Sequence, residues 1–174
     1  MKKIVLTFGL IAGVVMSLMM VVTIPFADSM GQGAGMLLGY TGMVLASLMI
    51  YFGVRQYRDN EGRGQVSFGQ AFKVAMGISA IAVACYVLTW EVVYRNFHSD
   101  FGEKYAQTQL EREKAKGASE EELAKKSAEF EEFWAKYKAN MLFRWGLTTL
   151  EPLPVVLLFS LVSAGLLRRK AASA

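Results

Sequence analysis

Four long apolar stretches constrain this chain more than any other feature. They cover residues 4–26, 36–54, 71–94 and 146–167. The first two contain no charged side chain; the third carries Lys73 near its start and Glu91 near its end, and the fourth carries Glu151 near its start. A helix rises about 1.5 Å per residue and a hydrocarbon core is about 30 Å thick, so about 20 apolar residues cross it. A core helix of a soluble protein keeps a polar face, and the first two stretches have none. No stretch alternates with period two, which argues against a membrane β-barrel. The predicted fold class is all-α: a polytopic membrane protein with four transmembrane helices and a helical hairpin, residues 95–145, inserted between helices 3 and 4. At 174 residues the whole chain is expected to form one membrane domain. Lys2 and Lys3 precede the first stretch as in a secretory signal. That apolar run is longer than a signal core and ends in Ile24, Pro25, Phe26 and Ala27, a poor cleavage match, so an uncleaved anchor is predicted.

Charge sets the orientation. Short cytoplasmic loops are enriched in Lys and Arg. Lys2 and Lys3, then Arg55, Arg58 and Arg63, then Arg168, Arg169 and Lys170 flank the stretches on one side, whereas residues 27–35 carry only Asp28. Both termini are therefore predicted to be cytoplasmic, and residues 95–144 extracytoplasmic, in the periplasm of a bacterial inner membrane. Segment 95–144 holds ten basic and ten acidic side chains, and the other nine basic residues lie at the predicted cytoplasmic ends, facing only Asp59 and Glu61. The net charge of +4 is a topology signal; no basic stripe with interleaved aromatics points to nucleic acid. Membrane lipids, including anionic headgroups near the basic ends, are the expected contacts.

The extracytoplasmic segment reads as two helices broken at Gly117. Ser119 followed by Glu122 fits a capping box. From there Leu123, Ser127, Phe130, Trp134, Tyr137 and Met141 form one seam at steps of three and four. The preceding helix offers Phe101, Tyr105 and Leu110. The seam is expected either to join the two helices or to dock on a partner protein or the lipid surface. The second helix has the option of running straight into the last apolar stretch, which would give a long rod with any bend near Pro152 and Pro154. Trp90, Tyr94 and Trp145 are expected as an interfacial aromatic belt.

Small residues allow membrane helices to approach closely. Gly9 and Gly13 form one such pair; Gly31, Gly35 and Gly39 form a ladder continued by Gly42 and Ala46; Ala71, Ala75 and Ser79 form a third set. Packing within the chain is the expected use, with self-association as the alternative.

The polar candidates lie near the predicted outer face. Glu91 and Arg95 are four residues apart, on one helix face. Arg144 and Glu151 flank the start of the last stretch, Glu151 about 8 Å in. His98, the sole histidine, is near them in sequence. An ionisable group inside a span pairs or lines a polar cavity. The set Glu91, Arg95, His98, Arg144 and Glu151 is therefore either a group of register-fixing ion pairs or a polar site for a lipid headgroup, an ion or a proton. One histidine and one cysteine are too few for a His/Cys metal centre, and Cys85 sits in an apolar run as packing. No GxSxG, HExxH or phosphate-loop motif occurs, so neither a catalytic residue nor a cofactor is expected.

Residues Val66, Ser67, Phe68, Gly69, Gln70, Ala71, Phe72, Lys73 and Val74 follow an Arg- and Gly-containing loop. The run from Leu153 to Ala164, LPVVLLFSLVSA, is followed by Arg168, Arg169 and Lys170. The two segments resemble the start of the third helix and the last helix of the bacterial domain of unknown function 4199 family. The resemblance spans nearly the whole chain, including the long insert before the last helix. It implies a bacterial integral membrane protein with four spans and implies no activity. Function is expected to be non-catalytic: an interaction or accessory module, with a protein partner or second copy held through the hairpin or the glycine faces. A small lipid- or ion-binding carrier using Glu91 and Glu151 is the alternative.

Overall fold

The computed structural model describes residues 1–24 and 33–169. We number its helices α1 (Lys2–Ile24), α2 (Gly33–Asn60), α3 (Phe68–Phe97), α4 (Phe101–Ala115), α5 (Glu120–Ala139), α6 (Met141–Leu150) and α7 (Leu153–Leu167). Among the described residues the only β-type pairing is an isolated antiparallel bridge between Val66 and Arg169. α1, α2 and α3 are each long and apolar enough to cross a membrane; α6 and α7 make a fourth candidate if taken as one span bent by 47°. Only 28%, 39% and 44% of the most apolar windows of α1, α2 and α3 is buried within the chain. The remainder presents side chains such as Leu10, Val22, Leu37 and Leu166 outward. So large an apolar surface is stable in lipid and would associate in water.

The molecule divides into two compact units: Met1–Trp90 with the chain from Thr149 onward, and Glu91–Thr148. In the first, α1, α2, α3 and α7 build two adjoining cores. One joins Ile50 and Val54 to Ala71, Val74, Ile78, Val156, Ala164 and Leu167. The other joins Ala12 and Met16 to Met43, Ala46, Ala82 and Tyr86. Lipid tails are as apolar as leucine, so close backbone approach has to supply much of the association energy. Accordingly a methyl added at Gly9 would fall 2.7 Å from Ile81 Cβ, one at Gly13 2.6 Å from Cys85 Cβ, and one at Gly42 2.9 Å from Met19 Cβ. Ala71, Ala75 and Ser79 are fully or almost fully buried, and the Ser79 and Ser160 hydroxyls share a hydrogen bond of 3.1 Å.

Both ends of the described chain meet at one end of this unit. The Met1 ammonium pairs with Glu61. Val66 and Arg169 exchange backbone hydrogen bonds of 3.2 and 3.0 Å. The start of α1, the end of α2, the start of α3 and the end of α7 therefore lie together. α1 and α2 run antiparallel, since Gly53 packs on Phe8 and Gly42 on Met19.

In the second unit, the turn after α4 closes as a Schellman motif. Ala118 N–H donates to Glu113 O at 3.1 Å, Gly117 N–H to Lys114 O at 3.0 Å, and Gly117 adopts φ +90°. The capping box then starts α5: Ser119 Oγ accepts from Glu122 N at 3.2 Å, and Glu122 Oε2 accepts from Ser119 N at 2.9 Å. α4 and α5 pack antiparallel through aromatic edges, Phe101 on Trp134 at 5.7 Å and Tyr105 on Phe130 at 6.5 Å. Gly102 admits the Trp134 ring, where a Cβ would come within 2.6 Å of Cδ2. The seam residues Phe130, Trp134 and Tyr137 are thus turned inward, and their rings are engaged within the unit.

Two expectations need correction here. α5 does not run on into the last apolar stretch. Asn140 is extended, at φ −117° and ψ 104°, and its side-chain oxygen accepts the Phe143 N–H at 3.1 Å, capping a new helix. An asparagine side chain that competes with backbone acceptors favours such a break. The seam accordingly ends at Tyr137, and Met141 lies beyond the break, on α6 and exposed. The interruption near Pro152 and Pro154 does occur: α7 restarts at Leu153 with Pro152 at its cap and Pro154 in its first turn, where a missing N–H is tolerated.

Candidate functional site: a buried ionic clasp

Among the described residues Glu91 and Arg144 are the two buried charged side chains, 7% and 3% exposed. Glu91 stands near the end of α3 because the helix continues past the apolar run; Arg144 stands one turn into α6, whose start Asn140 fixes. Arg144 donates from Nε to Glu91 Oε2 at 2.8 Å and from Nη2 to Oε1 at 2.7 Å, a bidentate fork. Its Nη1 donates to Tyr137 O at 2.7 Å, in the last turn of α5. The guanidinium also lies 4.7 Å from the Tyr94 ring centroid and 5.6 Å from that of Tyr137, and those two rings meet edge to face at 5.4 Å. Such contacts favour the cation when it is removed from water.

Arg95 and Trp145 complete the arrangement. Arg95 Nε donates to Glu91 Oε1 at 2.5 Å, and Trp145 Nε1 to Oε2 at 3.1 Å. An ionised carboxylate has about four lone-pair positions. All four of Glu91 are taken by protein donors. A carboxylate so occupied ties the end of α3 to the start of α6. A buried pair of this kind stabilises little against an apolar alternative, but losing one partner strands a charge.

Of the sequence-derived candidates, Glu91, Arg95 and Arg144 come together. His98 ends α3 through its backbone N–H, and its ring has no hydrogen bond or ion pair among the described residues. Glu151 has a separate partner in the first unit, accepting from the Tyr86 hydroxyl at 2.7 Å. Trp145 and Tyr94, read from the sequence as belt residues, are partners of the clasp. The Tyr137 carbonyl and Tyr86 hydroxyl carry no sequence signal, since neither type nor spacing marks them. Among the glycines, Gly9 and Gly13 make helix contacts, whereas a Cβ at Gly35 or Gly39 would meet no described atom within 4 Å. Those two do not serve packing within the described chain, and Gly31 lies outside the described residues. No group of three or more His, Cys, Asp or Glu suited to a metal occurs among the described residues.

An all-helical protein with three, or with the bent pair four, membrane-compatible helices and an internally satisfied ionic cluster is a membrane helical protein. More narrowly, the chain belongs to the family described as a protein of unknown function (DUF4199), whose model matches residues 7–169. No curated protein and no solved structure matches the chain.

Proposed function

We propose that this chain is a non-catalytic module of a bacterial inner membrane, crossing it four times with both termini cytoplasmic. It presents the α4–α5 pair as an extracytoplasmic helical hairpin to a protein partner. The clasp carries this reading: three of the five candidate groups, Glu91, Arg95 and Arg144, engage one another and hold the base of the hairpin. Four crossings are supported by the gathering of four helix ends at Met1, Glu61, Val66 and Arg169. The inward seam leaves the charged outer faces, with Glu121, Lys125 and Glu132 exposed, as the partner surface.

Photo-crosslinking from positions 121, 125 and 132 in intact membranes tests this. The expected result is an adduct of one discrete mass from those positions and none from 130 or 134. Recovery of the lone monomer from every position would contradict it.

A second reading, a small lipid- or ion-binding carrier, is favoured by one observation. Glu151 sits at the helix interruption, exposed, with Tyr86 on one oxygen. Interrupted spans supply the ion and substrate sites of transporters. On this reading Glu151→Gln changes lipid or ion binding while the helix content stays constant; unchanged binding would dismiss it.

A further inference from the structure

We infer that the end of the first unit where the helix ends gather is a binding surface for anionic lipid headgroups. Lys2, Lys3, Arg63, Lys73, Arg168 and Arg169 come from four separate parts of the sequence, and none has an ion pair among the described residues. The acids there are already engaged. Asp59 is held by Arg58 at 2.7 Å and faces Arg55 at 3.7 Å, with Arg169 acting on it from farther off, and Glu61 is held by the Met1 ammonium. The cations are mounted on a fastened frame. Gly64 N–H donates to Arg58 O and Gln65 N–H to Gly62 O, both at 2.9 Å, with Arg63 kept at φ 51° between them. The Val66–Arg169 bridge ties the α7 end to the same loop.

Depth identifies the partner. Lys73 lies five residues inside α3, about 8 Å from its start, and the other five cations lie at or beyond helix ends. Large apolar side chains, Leu6, Phe52, Phe68 and Leu166, stand exposed on the first turns next to these cations, Phe52 the deepest of them. Cations at the helix ends beside exposed apolar side chains match the phosphate layer and acyl chains of a lipid, and the long side chain of Lys73 can reach that layer from the first turns of α3. A nucleic acid or an acidic protein would match the charge and leave the apolar band unexplained. The inference rests on the membrane reading of the first unit; it assumes nothing about orientation or the hairpin.

The test uses the full chain in phosphatidylcholine bilayers carrying a trace of spin-labelled phosphatidylglycerol or spin-labelled phosphatidylcholine. The readout is the relative association of the two labels with the protein surface. The expected preference for phosphatidylglycerol is about fivefold at low salt, the effect of about one well-placed cation. It falls toward onefold near 1 M salt, where the screening length is about 3 Å. The Lys73→Gln, Arg168→Gln, Arg169→Gln variant loses most of the preference, and Lys114→Gln with Lys138→Gln retains it. Equal association of both labels with the unaltered protein, a preference insensitive to salt, or equal loss in the two variants would overturn the inference. If the triple variant fails to fold, the salt series on the unaltered protein decides alone. If neither label is immobilised, the membrane reading itself has failed.

Discussion

Arg144 grips Glu91 with two parallel hydrogen bonds, 2.8 Å from Nε and 2.7 Å from Nη2, and turns its remaining nitrogen to the Tyr137 carbonyl. One side chain thereby joins the end of α3, the end of α5 and the start of α6. The fold needs such a fastening at this point because Asn140 interrupts the helix there. Without it, the short α6 would be tied to α5 mainly by its aromatic neighbours.

Removing one member of the clasp is expected to cost far more than removing both. Arg144→Met leaves the buried Glu91 carboxylate with only the exposed Arg95 and the Trp145 N–H and should destabilise by about 3 kcal/mol, while Glu91→Met with Arg144→Met should be nearer neutral. Arg95 has a side chain 59% exposed, so Arg95→Gln should cost less than about 1 kcal/mol. Thermal unfolding in detergent, followed by circular dichroism, ranks the three. Equal losses for Arg95→Gln and Arg144→Met would refute the division of labour.

The glycines should separate into two classes. Gly13→Ala drives a methyl against Cys85 Cβ, 2.6 Å from where it would sit, and should cost about 1–3 kcal/mol. Gly39→Ala meets no described atom within 4 Å and gains helix propensity, so it should be neutral or stabilising by up to about 1 kcal/mol. The same melting experiment checks this. A marked loss for Gly39→Ala would mean that a second copy occupies that face.

Glu113 predicts an acid-sensitive contact between α4 and α5. Its hydrogen bond from Lys126, then that from Lys116, lowers its carboxyl from 4.5 to about 2. The folded form thus favours the charged carboxylate. The contribution is complete above about pH 4.5 and is lost as pH falls toward 2. The Glu113 carboxyl carbon shift, followed by NMR, should titrate near 2 and move toward the ordinary range in Lys126→Gln. Titration unchanged by that substitution would show that the cross-helix pair is not formed.

Much of this architecture was legible in residue order. Absence of charge over residues 4–26 and 36–54 marks membrane-compatible helices, because no polar face remains for water. Ser119, Glu122 and Gly117 announce a cap and a turn through local hydrogen bonding alone. The steps between Leu123 and Tyr137 give the face that meets α4. What stayed hidden depends on contacts distant in sequence. Glu91 had Arg95 within reach by spacing, but the bidentate partner 53 residues on is set by the break at Asn140, which the apolar pattern runs straight through. Gly35 and Gly39 have the same spacing as Gly9 and Gly13, and only the position of neighbouring helices distinguishes an open stripe from a packed one.

Single-cysteine labelling in right-side-out membrane vesicles, in a Cys85→Ala background and with an impermeant maleimide, bears most directly on the four-crossing proposal. Lys125→Cys should react at once, and Arg63→Cys and Arg168→Cys only after permeabilisation. Reaction of Arg168→Cys from the outside together with Lys125→Cys would make α6 and α7 re-entrant and contradict the account, as would protection of Lys125→Cys.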